Sequence, residues 1–479
     1  MPSHPKTATY LMTQNSASAR SRTSLIEGPI AKTLFFFTLP ILFGNVLQSL
    51  NGSVNAIWVG HYLGEAALTA TANSNAILFF LIATVMGLGM AATILVGQSM
   101  GARNMDQAKR VVGTAVTFFV ALSLLVAVFG MLFSEHLMQL MRTPHDALPL
   151  AVAYLRIIFL AMPFQFAYIF LMMILRGAGD TKTPFKFQIL SVSLDIALNP
   201  LFIFGLGPVP GMGIAGSAVA TLVAQSVSLA GLLAYLYHKK HFLCLHKGEG
   251  HYLRPDRIIL KSMVVKGIPM GLQMAVVSLS MIVMISLVNR FGSQTSAAYG
   301  ACLQLWNYVQ MPALAVGMAV SSMAAQNIGA RRLDRVQRIA SVGVLFNFLM
   351  TGGLVTLIYL FNRGALGFFL PEHVTALPIA QHINAMVAWS FVLLGVTFVL
   401  SSVMRASGAV VAPLVILFLA LWCIRLPFAA LLMERWGADA LWYSFGIGSI
   451  SAMLMSIAYY RWGGWRNAHM LATPDAAAG

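Results

Sequence analysis

The sequence predicts an all-α polytopic membrane protein, with twelve transmembrane helices in two six-helix bundles that are related by a parallel internal repeat. Two observations support this prediction. Of the 479 residues 58% are hydrophobic and only 9% are charged, and several motifs recur at a spacing of 228 or 229 residues. Soluble domains carry about a quarter charged residues, and disordered chains lack so many large apolar residues. The chain therefore needs lipid as its solvent.

Twelve stretches are long and apolar enough to cross a bilayer, which requires roughly 20 residues of helix. Their approximate limits are 34–58, 69–97, 112–133, 150–175, 186–205, 214–238, 264–289, 296–325, 340–361, 376–402, 411–433 and 441–461. The stretches are too long and too uniformly apolar for the alternating strands of a membrane barrel. Every span is therefore predicted to be a helix.

Basic residues are distributed unevenly along the chain. The 30 Lys and Arg residues outnumber the 14 Asp and Glu residues, which gives a formal net charge of +16. If the N-terminus is cytoplasmic, 24 of the 30 lie on that side of the spans, five lie on the other side, and Arg425 lies inside a span. Because basic connectors stay in the cytoplasm, we expect a multi-pass protein of the cell (inner) membrane with both termini cytoplasmic. The charge is a topology signal, so no nucleic-acid partner is implied.

The spans and connectors divide the chain into five parts. Polar residues 1–27, which lack an apolar signal segment, are predicted to form a flexible cytoplasmic tail. Residues 28–238 are predicted to form an N-terminal six-helix lobe, 239–263 a cytoplasmic inter-lobe loop, and 264–462 a C-terminal six-helix lobe. Residues 463–479 are predicted to form a second cytoplasmic tail.

The two lobes carry matching motifs. The turn Gln98–Arg103 matches Gln326–Arg331, Arg176–Gly179 matches Arg405–Gly408, and Pro40 matches Pro269. Since six spans precede the central loop and six follow it, the two copies are parallel. Such a duplication is typical of a transporter whose two bundles rock around a cavity to give alternating access.

The same motifs resemble the multidrug and toxic compound extrusion (MATE) family over residues 28–460. They are the two Gln-x-x-Gly-Ala-Arg turns, the Arg-Gly-Ala-Gly-Asp-Thr-Lys-Thr-Pro turn at 176–184, Asn199-Pro200 with Phe204-Gly205, and Trp422-x-x-Arg425-x-Pro427. The resemblance implies a transporter, not an enzyme, that exports bulky and often cationic organic compounds. It further implies antiport driven by H⁺ or Na⁺ through two six-helix lobes.

Ion coupling requires an ionisable group inside the membrane, and Asp195 is the acid that lies in the middle of a span. Burial favours the protonated form of a carboxyl group, as a proton acceptor near neutral pH requires. Asn199 is one turn away on the same face and can orient it. The alternative is that Asp195 only caps a kink before Pro200.

The resemblance adds Asn55 to the predicted ion-coupling residues, because many relatives carry an Asp at that place in the first span. Other relatives have the fifth-span pair in the order Asn then Asp, whereas this chain has Asp195 then Asn199. A relay between two acids is therefore not expected. The acids that relatives use for Na⁺ in the seventh and tenth spans are also missing from 264–289 and 376–402. Since Na⁺ prefers charged oxygen ligands, H⁺ is the expected coupling ion, with Na⁺ as the alternative.

Polar and aromatic residues of the spans are candidate substrate contacts. Gln48, Asn51 and Asn55 share one helix face, and flat or flexible side chains suit varied apolar guests. The predicted substrate-binding residues are Gln48, Asn51, Asn73, Phe164, Tyr168, Gln304, Trp306 and Trp389. Hydrogen bonding between helices and packing against lipid are the alternative explanations. The resemblance also suggests that Pro40 acts as a hinge of the first span, although it can equally fix a static kink.

No cofactor or metal is predicted. The histidines and Cys244 of the central loop match no zinc spacing, and the three cysteines are isolated in sequence. Expected partners are organic small molecules, H⁺ and the bilayer, with the chain as a monomer. Alternative functions are a flippase for lipid-linked or polysaccharide precursors, which needs a more basic cavity, and a membrane-embedded transferase, which needs clustered catalytic groups. A channel would need rings of matching charges.

Overall fold

The computed structural model describes residues 25–205, 210–246, 248–370 and 375–471, and these residues form helices and connecting turns without a strand. Twelve of the helical segments are long and apolar enough to cross a membrane. The predicted all-α fold with twelve spans is thereby confirmed. The spans are α1 Ile30–Tyr62, α2 Gly64–Gly101, α3 Met105–Leu140, α4 Leu148–Gly177, α5 Lys182–Phe204, α6 Ile214–His238, α7 Arg257–Val288, α8 Ser293–Gly329, α9 Leu333–Leu360, α10 Ala376–Val387 with Ser390–Ser407, α11 Val411–Trp436 and α12 Asp439–Trp462.

The helices extend beyond most of the predicted apolar limits because backbone hydrogen bonding continues into their polar ends. Three spans are irregular. A turn at Ala388 and Trp389 divides α10, and π-helical segments interrupt α9 at Phe348–Gly352 and α11 at Leu419–Arg425. Hydropathy does not report such irregularities, so the sequence had predicted three continuous spans.

Local sequence signals fix where several helices begin and end. The side chain of Asn104 accepts a hydrogen bond from the backbone N–H of Gln107 at the start of α3 (3.0 Å), and Asp256 caps α7 in the same way. These are the residue types that satisfy the free N–H groups of a first turn. Gly408 ends α10 with a φ of 106°, a left-handed conformation that favours glycine.

The two lobes pack against each other at the face that carries Leu25 and Leu471, the first and last described residues, and we call it the terminal face. There Gln98 of α2 donates to the carbonyl of Ala406 (2.7 Å), and its repeat partner Gln326 of α8 donates to the carbonyl of Gly177 (2.9 Å). A Cβ atom added at Gly101 or Gly329 would lie 1.8 or 1.9 Å from the backbone oxygen of Gln326 or Gln98. The repeated motif therefore builds a pseudo-symmetric seam that closes the terminal face.

The described residues of the two predicted tail segments pack against the second lobe. Leu25 is buried, and its carbonyl accepts a hydrogen bond from Asn327 of the second lobe. Trp465 is fully buried, and Ser262 donates to the carbonyl of Met470. Residues 25–28 and 463–471 thus pack on the second lobe, because each supplies an apolar side chain to its surface. The rest of the two predicted tails, 1–24 and 472–479, lies outside the described residues.

The inter-lobe loop is attached to the first lobe through α3. Lys109 forms an ion pair with Glu249, and Tyr252 donates to Asp106 (2.7 Å). A Cβ at Gly113 would lie 2.1 Å from the carbonyl oxygen of Tyr252, so α3 approaches the loop closely at a glycine. The hydrogen bond from Lys109 is the main cause that lowers the pKa of Glu249.

Candidate functional site

The first lobe contains a cavity of about 630 Å³ between α1, α2, α4, α5 and α6, which we call the first-lobe cavity. Most of its wall residues lie in the second half of α1 and in the first halves of α2, α4 and α6, and the others lie near the middle of α5 (Ser191, Val192 and Asp195) and of α4 (Gln165). All of these halves are the ones remote from the terminal face. The cavity is therefore displaced towards the opposite face, while the seam closes the terminal face.

Asp195 lies in the wall of this cavity with 3% of its surface exposed. Its Oδ2 accepts hydrogen bonds from the Nδ2 atoms of Asn51 (2.8 Å) and Asn55 (2.9 Å) of α1. Its Oδ1 accepts a hydrogen bond from the hydroxyl of Thr221 of α6 (3.1 Å). The carboxylate thus connects three helices through neutral donors.

None of the ion pairs among the described residues includes Asp195. A buried carboxylate is stabilised by a cation or by hydrogen bonds, and Asp195 has the hydrogen bonds alone. A negative charge in this setting attracts a proton or a small cation. The arrangement therefore places an acidic group that links three helices in the wall of the cavity.

Asn199 acts on Asp195 through another residue. Its Nδ2 donates to Oδ1 of Asn55 and to the backbone carbonyl of Asp195, both at 2.9 Å. Asn199 thereby orients the amide of Asn55, whose own Nδ2 contacts the carboxylate. Among the described residues the carboxylate of Asp195 bonds to α1 and α6 and not to its own helix, which does not favour the alternative that Asp195 caps a kink in α5.

Other predicted first-lobe residues are divided between the cavity and its surroundings. Gln48 lines the cavity and accepts a hydrogen bond from Gln188. Asn73 donates to the hydroxyl of Thr143 (3.1 Å) and is not a wall residue. Phe164 is 40% exposed and Tyr168 is buried in a separate apolar cluster, and neither belongs to the wall.

The predicted second-lobe residues are not brought together. Trp306 is fully buried in an apolar cluster, and its indole N–H donates to Asn384 (2.9 Å). Gln304 is exposed, and Trp389 is 39% exposed at the turn within α10. These positions place Trp306 in a packed core, and the other two on the surface.

Pro40 lies within α1, fifteen residues before Asn55. A proline lacks the N–H that would bond to the carbonyl four residues earlier, here that of Phe36. The helix is therefore weakened between the terminal face and the asparagines that hold Asp195.

One side of the site was not predicted. Ser217, Thr221 and Gln225 of α6 all line the cavity, and Thr221 contacts Asp195 directly. Their spacing of four residues places them on one helix face. That spacing was the signal that could have identified them.

Comparisons with known proteins agree with this architecture. The family model described as MatE matches residues 40–201 and 269–431, one match in each lobe. The chain is 39% identical to the probable multidrug resistance protein YoeA of Bacillus subtilis, over 90% of this chain and 93% of that protein. It is 32% identical to the probable multidrug resistance protein YpnP of the same organism, over 92% of this chain and 97% of that protein.

The fold is also similar to solved structures. A mutant of the Vibrio cholerae MATE transporter VcmN aligns with a TM-score of 0.83 at 22% sequence identity, covering 92% of this chain and 98% of that one. At this identity the likeness concerns the fold, with its two six-helix lobes.

Proposed function

Because the chain belongs to the multidrug and toxic compound extrusion family of membrane transporters, as its sequence motifs predicted, we propose that it exports bulky organic compounds, many of them cationic, in exchange for protons. Both Bacillus subtilis relatives are named as probable multidrug resistance proteins, which supports this substrate class. The single observation that carries the coupling mechanism is the position of Asp195 in the wall of the first-lobe cavity. This carboxylate is buried and has no ion-pair partner among the described residues.

The proton is proposed to bind the carboxylate of Asp195. Oδ2 has two lone pairs, and each accepts a hydrogen bond from one of the two amides, Asn51 and Asn55. A proton on Oδ2 occupies one of these lone pairs, so one of the two hydrogen bonds must break. Hydrogen bonds to a charged group contribute about 1.5–3 kcal/mol each, and a neutral acid retains only part of that. Protonation therefore loosens α1 from α5.

Loosening of α1 is proposed to move the helix at Pro40. Since the helix lacks one backbone hydrogen bond there, bending costs less at this point than elsewhere along α1. A bend narrows the cavity that α1 borders and expels the bound compound. An organic cation and a proton both neutralise Asp195, so they compete for the site, which is the basis of exchange.

Protons are favoured over Na⁺ at this site by the direction of its hydrogen bonds. Both amide groups near Oδ2 present N–H donors, which repel a metal cation, and a hard cation prefers several oxygen ligands. The polysaccharide or lipid-precursor flippase is disfavoured, because the described wall residues of the cavity include no Lys or Arg to meet a phosphate.

The orientation and setting are part of the proposal. The connectors at the terminal face carry most of the basic residues, so that face is proposed to lie in the cytoplasm. The cavity then faces the outside of the cell membrane, as in the releasing step of export. The chain is proposed to work as a monomer, since each copy contains both lobes.

The proposal is tested with protein reconstituted in liposomes, using a fluorescent organic cation such as ethidium. An imposed pH gradient should drive transport by the wild type, and replacement of Na⁺ by choline should leave the rate unchanged. D195N should abolish the response to the gradient. The matched control is D180N, which changes an acid at the other end of α5 and keeps the helix cap that Asp180 provides. Transport by D195N with unchanged pH dependence would overturn the mechanism.

A further inference from the structure

A second cavity lies in the second lobe, between α7, α8, α10, α11 and α12, and we call it the second-lobe cavity. It has a volume of about 50 Å³. Its wall is mostly apolar, with Met281, Phe391, Leu417 and Phe445 among the residues that form it. Arg425 of α11 is its basic residue, and no acidic side chain occurs among the described residues of the wall.

The guanidinium of Arg425 has unfilled hydrogen-bonding capacity. The residue is 5% exposed, and its Nε and Nη2 atoms are buried without a partner in the described structure. Arg425 takes part in none of the ion pairs found among the described residues. A cation near the middle of a spanning helix is costly unless something neutralises it.

Neighbouring residues hold this side chain in place. Its Cζ atom lies 3.6 Å from the centre of the Phe445 ring, an arrangement typical of cation–π stacking. A Cβ atom at Gly448 would come within 3.1 Å of the side chain of Arg425, so the glycine of α12 leaves room for it. Arg425 is also the last residue of the π-helical segment of α11, and such segments are frequent at functional sites.

We propose that the second-lobe cavity is a binding site for a compact anion of charge −1, held by the guanidinium of Arg425. One water molecule requires roughly 10–15 Å³ of such volume, so the cavity admits an inorganic anion or a carboxylate group but not an entire drug. The planar guanidinium suits a carboxylate through paired hydrogen bonds. The apolar wall strengthens that attraction and accommodates the hydrocarbon part of an organic acid.

The ligand has two potential sources, a free inorganic anion and the carboxylate of an organic solute. Purified protein in a zwitterionic buffer that contains no carboxylate is titrated with sodium chloride, sodium acetate or sodium benzoate, and thermal unfolding is followed. An anion that binds the folded state raises the Tm in a saturable manner. A response to chloride identifies an inorganic ligand, and a response to acetate or benzoate identifies a carboxylate.

The variant R425Q should lose the saturable rise in Tm for every anion. R435Q is the matched control, since Arg435 lies exposed at the end of the same helix and should respond as the wild type does. If R425Q does not fold, R425K decides the question. Lysine keeps the positive charge but lacks the paired N–H donors of a guanidinium. The acetate concentration that gives half of the maximal rise in Tm should therefore increase at least about tenfold.

Three results would overturn the proposal: no saturable response of the wild type, an equal response in R425Q, or equal midpoints in R425K and the wild type. The titration measures binding and requires no transport. Its outcome is therefore independent of the proton coupling proposed for Asp195.

Discussion

The seam at the terminal face makes a strong prediction about conformational balance. An alanine at Gly329 would place its Cβ 1.9 Å from the backbone oxygen of Gln98, and ordinary contact begins near 3.4 Å. The two backbones must therefore separate by about 1.5 Å, because a main-chain oxygen cannot rotate away. Overpacking of this kind costs about 1–3 kcal/mol. G329A should shift the equilibrium away from the closed terminal face by roughly 5- to 150-fold.

The shift is measured as a distance between spin labels on Arg103 and Arg331, which are exposed on the two sides of the seam. The native cysteines are first replaced, and pulsed electron spin resonance records the distance distribution. G329A should add or enlarge a population at longer distance, and transport should slow. G101A, its counterpart in the repeat, should give the same result.

The control is G300A, a substitution in the same helix at a position where a Cβ would meet nothing within 4 Å. It should leave the distance distribution and the transport rate unchanged. If G329A and G101A both give the wild-type distribution, the seam does not resist an added methyl group, and the reasoning from close backbone approach is refuted.

Three further predictions concern the site, the loop and the core. N55L should slow transport driven by a pH gradient, because Asp195 loses one of the two amide N–H donors through which it contacts α1; an unchanged rate would contradict the role of Asn55. E249Q should speed tryptic cleavage of the inter-lobe loop at neutral pH. Since the pKa of Glu249 is lowered, the ion pair between Lys109 and Glu249 in the wild type should be fully present above the ordinary pKa of a glutamate and be lost only as the pH falls through the lowered pKa. Pulse-labelled hydrogen exchange of the loop can follow this loss. W306F should reduce the Tm without changing the affinity for substrate, because Trp306 is packed in a core; a changed affinity with an unchanged Tm would place it in a binding site.

Much of the fold was predictable because lipid imposes strong constraints on sequence. Each span needs a long apolar stretch, and the repeated Gln-x-x-Gly-Ala-Arg turns predicted two parallel lobes. Asp195 stood out for the same reason, since an acid in the middle of a span is rare. The stripe of Gln48, Asn51 and Asn55 followed from helical spacing, and the structure places all three in the cavity wall.

Other features depend on packing that a single sequence does not encode openly. Thr221 contacts Asp195, yet a threonine in a membrane helix can equally bond to its own backbone, so its type alone is not informative. Trp306 was predicted to contact substrate because flat aromatic side chains suit varied apolar guests. Its residue type alone does not show whether it faces lipid, a cavity or the core. Its burial depends on how α8 packs against α10 and α12. The π-helical segment of α11 that ends at Arg425 was not apparent from hydropathy.

Proton release from the purified protein tests the central claim most directly. A substrate cation is added to protein in weakly buffered detergent solution, at the pH where transport runs at half of its maximal rate. The protons released into solution are then counted. The wild type should release up to about one proton per molecule, because one carboxyl group takes part in exchange. D195N should bind substrate weakly and release none, whereas D180N should behave as the wild type. Equal proton release from D195N and the wild type would contradict the assignment of Asp195 as the proton acceptor.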